Sequence, residues 1–379
     1  MHQVLLTLRE AGHQAVLVGG CVRDQILGLD VKDWDVTTSA TADELLDCFP
    51  RGIPIGGAHG TVMIPSRSTP IDVSPYRAAD LAGDLARRDF TINAIAWDPQ
   101  DDVWWDPTGG RDDLAARILR APGDPRERLA EDPLRALRAA RLAAAYELDA
   151  DPALRQALTA IAGRPSKVAS ERVRAELDRL LETRSVGRGV ALLRETGLEA
   201  EIIPGAAADL LGVLEHLPRE RDLRLAAWLR GTNAAKLLAR WRFPKHRARA
   251  VERVLAVHPV DTLFEGARGA RALRRRTGGG VVLEHAVLLR LAELTAAGDS
   301  TAALDKLREE LSRNAESALS VNDLALKGSQ VIEILGIPPG PDVGRALRHL
   351  LEAVTADPAL NEPERLTATL RAWHAGRRD

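Results

Sequence analysis

A glycine pair near the N-terminus, followed by an arginine, has the composition of a phosphate-binding turn. Gly19 and Gly20 come directly after the apolar run 15–18, which predicts a buried strand, and the segment 22–27 predicts a helix. Glycines let the backbone approach a triphosphate, and the N-terminus of a helix favours anions. Arg23 falls where a phosphate would be bound. These residues therefore predict a nucleotide site.

Two aspartates beyond this turn are spaced for binding a metal ion. Asp33 and Asp35 lie two positions apart in a segment of strand-like composition, so both carboxylates are expected on one face. Mg²⁺ binds through one or two carboxylates plus substrate phosphates, and it can activate an attacking hydroxyl. Asp72, in the alternating segment 70–74, is either a third ligand on a neighbouring strand or an exposed strand charge.

Each fragment has a simpler interpretation when it is taken alone. A glycine pair is equally typical of an ordinary turn, and an Asp-x-Asp sequence is equally typical of a solvated strand end. The order and spacing of the two fragments together favour nucleotidyl transfer.

A second candidate segment, residues 87–94, leads into and overlaps a strand-like run at 91–97. Arg87 and Arg88 could reach a triphosphate or a ribose, and Asn93 could fix a backbone turn. Taken alone, this segment is better interpreted as the entry to a strand.

A third pattern places an acceptor beside several donors on one predicted helix. An aspartate and three arginines recur at every third position, at Asp132, Arg135, Arg138 and Arg141. Pro133 suits the first turn of this helix and Asp132 its N-cap, so the four side chains are expected on one face. Cytosine and adenine each present an amino donor beside an acceptor nitrogen, which this set matches, whereas uracil and guanine do not. A salt-bridged surface helix is the alternative.

The length and composition of the chain are typical of a globular protein. The 379 residues are enough for two or more cores, and 45 % are hydrophobic. No apolar run approaches the roughly 18 residues of a membrane span, and the first residues do not have the form of a signal peptide, which predicts a cytoplasmic protein that does not enter a membrane. The cysteines Cys21 and Cys48 form neither a disulfide framework nor a zinc cluster, and Cys21 is expected to be a packing residue.

The net charge of −2 does not indicate a nucleic-acid binder, so an RNA surface would depend on local clusters of basic residues. Two arginine-rich segments, 240–253 and 271–276, are candidates, although such runs are usually solvated faces. The candidate RNA-binding residues are Arg242, Lys245, Arg247, Arg274 and Arg275.

The chain changes character near residue 115. Up to that point short β-branched runs alternate with Gly, Pro and Asp turns, which predicts an α/β or α+β head. Beyond residue 113 nearly every segment is rich in Ala, Leu, Arg and Glu with helical spacing, so the remainder is expected to be all-helical.

The motifs, in this order, resemble those of the bacterial class II tRNA nucleotidyltransferase and poly(A) polymerase family. The segments that resemble its motifs A to E are 19–24 with 33–35, then 87–94, 106–110, 131–135 and 170–177. Residues 322–324 and 336–344 are similar to the tail of the tRNA-maturing members. The match covers nearly the whole chain.

The resemblance implies an α+β protein with a polymerase-β-like head (1–115), followed by an all-helical neck (116–185), body (186–300) and tail (301–379), the tail binding tRNA. It implies that Asp33 and Asp35 are catalytic and bind Mg²⁺. It also implies a nucleotide site, selective without a template, made by Gly19, Gly20, Arg23, Arg87, Arg88, Asn93, Glu131, Asp132, Arg135, Arg138 and Arg141.

One departure from the family pattern bears on the product. CCA-adding members carry a flexible loop between the strand corresponding to 71–77 and motif B, whereas only residues 78–86 occupy that interval here. In this family the loss of that loop is associated with enzymes that add two cytidines from CTP and leave the terminal adenosine to a separate A-adding enzyme. A mobile element could move the base-selecting residues between cytosine and adenine, so its absence favours CC addition.

Other functions remain as alternatives. They are a full CCA-adding enzyme that uses CTP and ATP, a poly(A) polymerase, an A-adding enzyme, an inactive RNA-binding module, and a nucleotidyltransferase for a small acceptor. The paired aspartates disfavour the inactive module, and the long helical part exceeds what a small acceptor requires.

Overall fold

The computed structural model describes residues 1–55, 60–66, 69–163, 168–263, 266–315, 317–318 and 320–375. The chain divides into two compact units, Met1–Pro204 and Gly205–Asp379. The expected α+β class is confirmed, because a sheet forms near the N-terminus and most of the remaining described residues are helical.

The N-terminal unit is built on a seven-stranded sheet. Its strands are β1 (Ala15–Val18), β2 (Trp34–Thr38), β3 (Ile53–Pro54), β4 (Val62–Ile64), β5 (Ile71–Pro75), β6 (Ala96–Asp98) and β7 (Val103–Trp105). Their order across the sheet is β3-β4-β5-β2-β1-β6-β7. Neighbouring strands are antiparallel except β2 and β5, which are parallel and place Asp35 directly opposite Asp72. Of the two alternatives left open for Asp72, the structure shows the one in which its strand lies beside the first carboxylate strand.

The helices of this unit lie before, between and after the strands. They are α1 (His2–Glu10), α2 (Gly20–Ile26), α3 (Ala42–Cys48), α4 (Leu81–Ala86), α5 (Gly110–Ala115), α6 (Pro125–Glu131), α7 (Arg135–Tyr146), α8 (Pro152–Ala160), α9 (Ser170–Leu181), α10 (Val186–Glu195) and α11 (Leu198–Ile202). A 3₁₀ turn covers Thr91–Asn93. The strand expected at 91–97 is thus only the short β6, because the chain turns at 91–93 before it enters the sheet.

Two cores form on the two faces of the sheet because side chains alternate along each strand. Leu17 of β1 packs with Leu5 and Leu8 of α1 and Leu45 of α3. Val16 and its neighbours on the other face pack with residues of α4.

The expectation of an all-helical chain beyond residue 113 is wrong in one detail. The short strands β8 (Ile118–Leu119) and β9 (Asp149–Ala150) form a parallel pair beside α7. Helix α7 itself begins at Arg135, two residues later than expected. Asp132 precedes it, and its Oδ1 accepts from the Leu134 N–H at 3.1 Å, so Asp132 shapes the turn before the helix rather than capping it.

Small residues on α7 allow close packing of its neighbours. Ala136, Ala139 and Ala140 are buried, and α9 and α10 both lie against this helix. A Cβ at Gly189 of α10 would lie 2.5 Å from the carbonyl oxygen of Ala140, so only glycine permits this approach. The helix that carries the candidate base-reading arginines is therefore firmly supported on its buried side.

The C-terminal unit is helical throughout its described residues. Its helices are α12 (Leu210–Glu215), α13 (Arg221–Leu229), α14 (Ala234–Arg240), α15 (Lys245–Ala256), α16 (Gly266–Thr277), α17 (Gly280–Ala297), α18 (Ala302–Arg313), α19 (Gly328–Leu335), α20 (Pro341–Ala356) and α21 (Pro363–Ala375). Short 3₁₀ turns cover Val260–Leu263, Val321–Asp323 and Pro358–Leu360. Among the described residues, no helix is both long enough and apolar enough to cross a bilayer.

Candidate active site

A polar cavity of about 600 Å³ opens in the N-terminal unit. It brings together residues from the β1–α2 turn, β2, the segment before β6, the turn before α7, and α9. The lining residues are Gly19, Gly20, Asp35, Arg77, Arg87, Arg88, Asp89, Asn93, Glu131, Asp132, Arg135, Arg138 and Arg172. Ten of these are residues that the sequence predicts, nine for the nucleotide site and one, Asp35, for the metal site.

The glycine turn forms one end of the cavity. Gly19 has φ +79°, a backbone conformation that residues with a side chain rarely adopt. A Cβ at this position would lie 3.1 Å from Nη1 of Arg88 and 3.8 Å from Oδ2 of Asp35. The backbone, an arginine and a carboxylate therefore converge here, as binding of a triphosphate with a cation requires.

Three carboxylates interact near this end of the site, and of these Asp35 lines the cavity whereas Asp33 and Asp72 do not. Burial raises the pKa of Asp35 to about 6; Arg88 and Arg23 oppose the increase, while Asp72 and Asp33 add to it. Burial also raises the pKa of Asp72, with a further contribution from Asp33. Asp33 is exposed and lies one residue before β2, so the prediction that it belongs to this strand is wrong. Its charge nevertheless raises the pKa values of Asp35 and Asp72.

The residues fit a hard divalent cation that is completed by substrate. No group of three His, Cys, Asp or Glu side chains in the described parts of the chain forms a metal site by itself. Mg²⁺ commonly uses one or two carboxylates and takes its other ligands from phosphates and water. Asp35 and its acidic neighbours can supply such carboxylates beside the glycine turn.

The arginines after α4 are held by the backbone and by a buried carboxylate. Nη2 of Arg88 donates to Oδ2 of Asp84 at 3.2 Å, and Nη1 of Arg87 donates to the carbonyl of Arg77 at 2.7 Å. Both arginines line the cavity, as predicted. Arg77 also lines it, and burial together with the charge of Arg88 lowers its pKa.

Arg23 lies behind the cavity wall rather than in it. Its guanidinium donates to Oδ1 of Asn93 at 2.5 Å and to Oδ1 of Asp24 at 2.8 Å. It also contacts the Tyr146 hydroxyl and lies 4.0 Å from the centre of that ring. The structure thus places Arg23 so that it fixes Asn93, and does not place it among the residues that line the cavity.

The other end of the cavity carries the predicted base-reading residues. Nη1 of Arg135 donates to Oε2 of Glu131 at 2.9 Å, and its Nη2 donates to the carbonyl of Arg87 at 3.3 Å. Oδ2 of Asp132 accepts from Arg172 of α9 at 2.7 Å. A carboxylate acceptor and a guanidinium donor therefore lie side by side, which suits one edge of a cytosine or an adenine.

Asp89 links the two ends of the site. Burial alone would raise the pKa of this carboxyl, but the charge and hydrogen bond of Arg138 lower it, as do the hydrogen bond of Asn93 and the charge of Arg135. Oδ2 of Asp89 accepts from Arg138 at 2.9 Å and its Oδ1 accepts from Asn93 at 3.0 Å. Asp89 is therefore an ionised acceptor that orients residues on both sides.

Arg141 points away from the cavity. Its Nε donates to Oε2 of buried Glu176 at 2.7 Å. Each step of three residues falls short of a full helical turn, so the two steps from Arg135 to Arg141 leave these side chains about 120° apart around the helix axis. The prediction that all four residues share one face is wrong for Arg141, and Asp132 precedes the helix.

Three lining residues were missed as candidates: Arg77, Asp89 and Arg172. Asp89 directly follows the two predicted arginines, and Arg172 lies in the segment that resembles motif E, so both had a sequence signal. Arg77 had none beyond its position at the end of β5.

The candidate RNA-binding residues of the C-terminal unit differ in their environments. Arg242 and Lys245 are exposed, and Arg274 and Arg275 are half-buried. Arg247 is buried and donates to Oδ1 of Asp222 at 2.9 and 2.5 Å. The placement of Arg247 as part of an RNA surface is therefore not supported, because it serves an internal ion pair.

Family models match most of the chain. The model of the poly A polymerase head domain matches residues 15–120, and a model of an RNA and SrmB-binding site of polymerase A matches residues 125–210. A second-domain model of tRNA nucleotidyltransferases matches residues 223–370.

Curated relatives match over nearly their full length. The chain is 34 % identical to a CC-adding tRNA nucleotidyltransferase of Shouchella clausii, with 98 % of this chain and 97 % of the relative covered. It is 32 % identical to a CCA-adding enzyme of Geobacillus stearothermophilus, with 97 % and 95 % covered.

Solved structures show the same architecture. The Bacillus stearothermophilus CCA-adding enzyme in complex with CTP superposes with a TM-score of 0.80 at 29 % identity, covering 99 % of this chain and 97 % of that one. The Thermotoga maritima CCA-adding enzyme complexed with tRNA has a TM-score of 0.71 at 20 % identity, covering 98 % and 94 %, a likeness that concerns the fold. The chain therefore belongs to the tRNA nucleotidyltransferase and poly(A) polymerase family, and it is an enzyme with a polymerase-β-like head.

Proposed function

We propose that this enzyme adds two cytidines to the 3′ end of tRNA, using CTP and releasing pyrophosphate, and then stops. The observation that carries the transfer reaction is the single cavity with Asp35 and the glycine turn at one end and Asp132 and Arg135 at the other. A relative named CC-adding tRNA nucleotidyltransferase and a similar structure that holds CTP support the choice of substrate.

The proposed reaction forms a bond between the tRNA 3′ oxygen and the α-phosphorus of CTP. The bond between the α-phosphorus and the bridging oxygen breaks, and pyrophosphate leaves. Mg²⁺, when bound by Asp33 and Asp35 and aided by Asp72, supplies charge neutralisation and activates the attacking hydroxyl. Arg87 and Arg88 face the triphosphate and offset the charge that develops on its oxygens.

Base selection needs no template because protein side chains contact the base. Asp132 accepts from the amino group of cytosine, and Arg135 donates to its ring acceptors. A uracil would place a carbonyl oxygen against the carboxylate of Asp132, which is unfavourable. Glu131 and Arg138 hold this end of the cavity in shape through their contacts with Arg135 and Asp89.

The choice of CC over CCA addition depends on the short connection between β5 and Arg87. This connection contains helix α4, whose N-cap Asp80 accepts from the Gly83 N–H at 2.8 Å. An ordered connection of this length cannot make the large movement that a switch from cytosine to adenine requires. We therefore propose that a separate A-adding enzyme completes the tRNA.

Full CCA addition is the second candidate, and the names of many relatives favour it. The relatives of Geobacillus and Limosilactobacillus are named CCA-adding enzymes at 30–32 % identity. In that case ATP would be a second substrate of the same cavity.

The remaining assignments follow from tRNA as substrate. We propose that residues 1–115, 116–185, 186–300 and 301–379 act as head, neck, body and tail, and that the tail binds the tRNA. Arg242, Lys245, Arg274 and Arg275 are the proposed contacts to the RNA backbone. We also propose a cytoplasmic location, where tRNA is matured.

Product sequencing tests the proposal. A tRNA transcript that ends at its discriminator base is incubated with the enzyme, CTP, ATP and Mg²⁺, and the new 3′ ends are read. We expect ends with two cytidines. Ends with a complete CCA would overturn CC-only addition in favour of the second candidate, and no incorporation with any nucleotide would overturn the transferase assignment.

A further inference from the structure

The connection between β5 and the cavity arginines is organised around one buried carboxylate. Asp84 of α4 is 1 % exposed. Its Oδ1 accepts from the Arg77 N–H at 3.0 Å, and its Oδ2 accepts from the Thr37 hydroxyl at 3.2 Å and from Nη2 of Arg88 at 3.2 Å. Asp84 therefore joins α4 to β2, to the end of β5 and to a cavity arginine, yet it does not itself line the cavity.

A second set of contacts continues from this anchor to the base-reading end. Arg77, whose N–H is held by Asp84, uses its carbonyl to accept from Nη1 of Arg87 at 2.7 Å. The carbonyl of Arg87 in turn accepts from Nη2 of Arg135 at 3.3 Å. Asp84 and Arg135 are thus connected through two backbone carbonyls that the connection holds in place.

Arg135 is held from its other side as well. Its Nη1 donates to Oε2 of Glu131 and to the carbonyl of Arg128, each at 2.9 Å. Its guanidinium is therefore fixed between α6 and the segment that follows α4. A planar guanidinium with donors committed on two sides has little freedom to turn toward a different base edge.

We propose that Asp84 and Arg87 are positioning residues that hold Arg135 in the orientation that reads cytosine. The connection that carries α4 then acts as a clamp on the base-reading end of the cavity. This inference rests on the proposed use of CTP and adds the residues that keep the cavity selective. Without the clamp Arg135 gains alternative orientations, and the preference for cytosine over uracil declines.

The test uses the ratio of kcat/KM for CTP to that for UTP in the addition of the first nucleotide to a tRNA that ends at its discriminator base. This ratio does not depend on whether an adenosine is added later. Asp84→Asn keeps the size of the side chain but removes its charge, and we expect the ratio to fall about tenfold, with a higher KM for CTP. Ala82→Gly is the matched control, because it loosens the same helix at an exposed position.

A double-variant experiment separates positioning from general loss of structure. If Asp84 acts through Arg135, then Asp84→Asn should leave the ratio within about twofold when it is introduced into an Arg135→Ala enzyme. Arg87→Gln changes an exposed side chain and provides the same comparison if Asp84→Asn does not fold.

The outcomes of these experiments are distinct. A ratio unchanged in both Asp84→Asn and Arg87→Gln, an equal fall in Ala82→Gly, or an undiminished fall in the Arg135→Ala background would overturn the clamp. A wild-type product that ends in CCA would overturn CC-only addition and leave the clamp to be judged by the selectivity ratio. An unmodified enzyme that does not use CTP would overturn the proposed function itself.

Discussion

Two carboxylates, half-buried Asp35 in the N-terminal unit and buried Glu293 in the C-terminal unit, lie among charged neighbours, and their pKa values shift in opposite directions. In the cavity, burial raises the pKa of Asp35 to about 6, and the effects of nearby arginines are opposed by two further aspartates. In the C-terminal unit, burial acts in the same direction on Glu293, but hydrogen bonds from His258 and Arg230 lower its pKa to about 2.

The two carboxylates differ in how many hydrogen-bond donors and cationic side chains the protein places around each of them. Glu293 accepts from His258 at 2.9 Å and from Arg290 at 3.2 Å, and it also contacts Arg230. Asp35 has no comparable set of donors among the described residues and lies directly opposite Asp72. A carboxylate that stabilises the fold is paired with cationic side chains of the protein. A carboxylate that binds a metal ion together with substrate is expected to lack such partners until the ion binds.

The largest effect should come from Asp35. We expect Asp35→Asn to reduce nucleotide incorporation by about a thousandfold, which corresponds to roughly 4 kcal/mol in the activation barrier. Because the pKa of Asp35 is raised in the folded protein, its ionised form costs stability above that pKa. The variant should therefore be more stable than the parent at pH 8 without Mg²⁺, by about 2 kcal/mol. Single-turnover assays and urea unfolding measure the two effects, and retained incorporation would contradict the catalytic role.

Replacing Glu293 should instead lower the stability of the protein. Glu293→Ala removes the carboxylate shared by His258, Arg230 and Arg290, although Arg230 keeps Asp209, and we expect a loss of about 3–5 kcal/mol in the stability of the C-terminal unit. Thermal unfolding should show a fall of about 10 °C in Tm. Glu309→Ala is the control, since Glu309 is 67 % exposed and pairs with Arg313 at the surface. Equal effects of the two substitutions would refute the contrast.

The same carboxylate should make stability depend on acid pH. The pKa of Glu293 falls from its ordinary value of 4.5 to about 2 on folding, so the stabilisation is complete above pH 4.5 and is lost as pH falls toward 2. It amounts to about 2–3 kcal/mol. Urea midpoints at pH 7 and pH 3, followed by far-UV circular dichroism, should therefore differ less in Glu293→Gln than in the parent.

Asp132 should affect the choice of base more than the binding of triphosphate. We expect Asp132→Ala to lower the preference for CTP over UTP about tenfold, which is roughly 1.4 kcal/mol, with less than about a threefold change in the KM for CTP. Asp149→Ala removes another surface-paired carboxylate, on Arg188, and provides the control. An unchanged CTP:UTP ratio would count against a contact between Asp132 and the base.

The smallest effect should come from removing the hydroxyl of Tyr146, which contacts Arg23 behind the cavity wall. Tyr146 donates to Oδ1 of Asp24 at 2.9 Å and contacts Arg23, and burial raises its pKa to about 12. We expect Tyr146→Phe to cost about 1 kcal/mol of stability and to change the KM for CTP by less than about twofold. A large rise in KM instead would mean that Tyr146 and Arg23 control the shape of the nucleotide site.

Local sequence pattern correctly predicted the strand and the helix that flank the glycine turn, but not the position of Arg23 behind the cavity wall. The apolar run before Gly19 forms β1, the following segment forms α2, and Asp35 and Asp72 face each other across neighbouring strands. The strand and the helix depend on residues close in the chain, which one sequence shows, whereas the pairing of the Asp72 strand with β2 was left open because strand adjacency cannot be read from one sequence.

The remaining features depended on packing that spacing alone does not determine. Arg141 was expected in the site, but the rotation of the helix carries it to Glu176. Arg247 belongs to an arginine-rich segment that suggests an exposed surface, yet Asp222 holds it inside the unit. Arg77 lines the cavity and its N–H donates to Asp84 of α4, yet no motif marks it.

One small residue that does not line the cavity sets a limit on how this sequence can vary. A Cβ at Gly110 would lie 2.1 Å from the carbonyl oxygen of Thr91 and 2.9 Å from the side chain of Ile95. Any replacement would push on the 3₁₀ turn that ends at Asn93. In a library of random variants we therefore expect position 110 to tolerate few replacements, although Gly110 does not line the cavity.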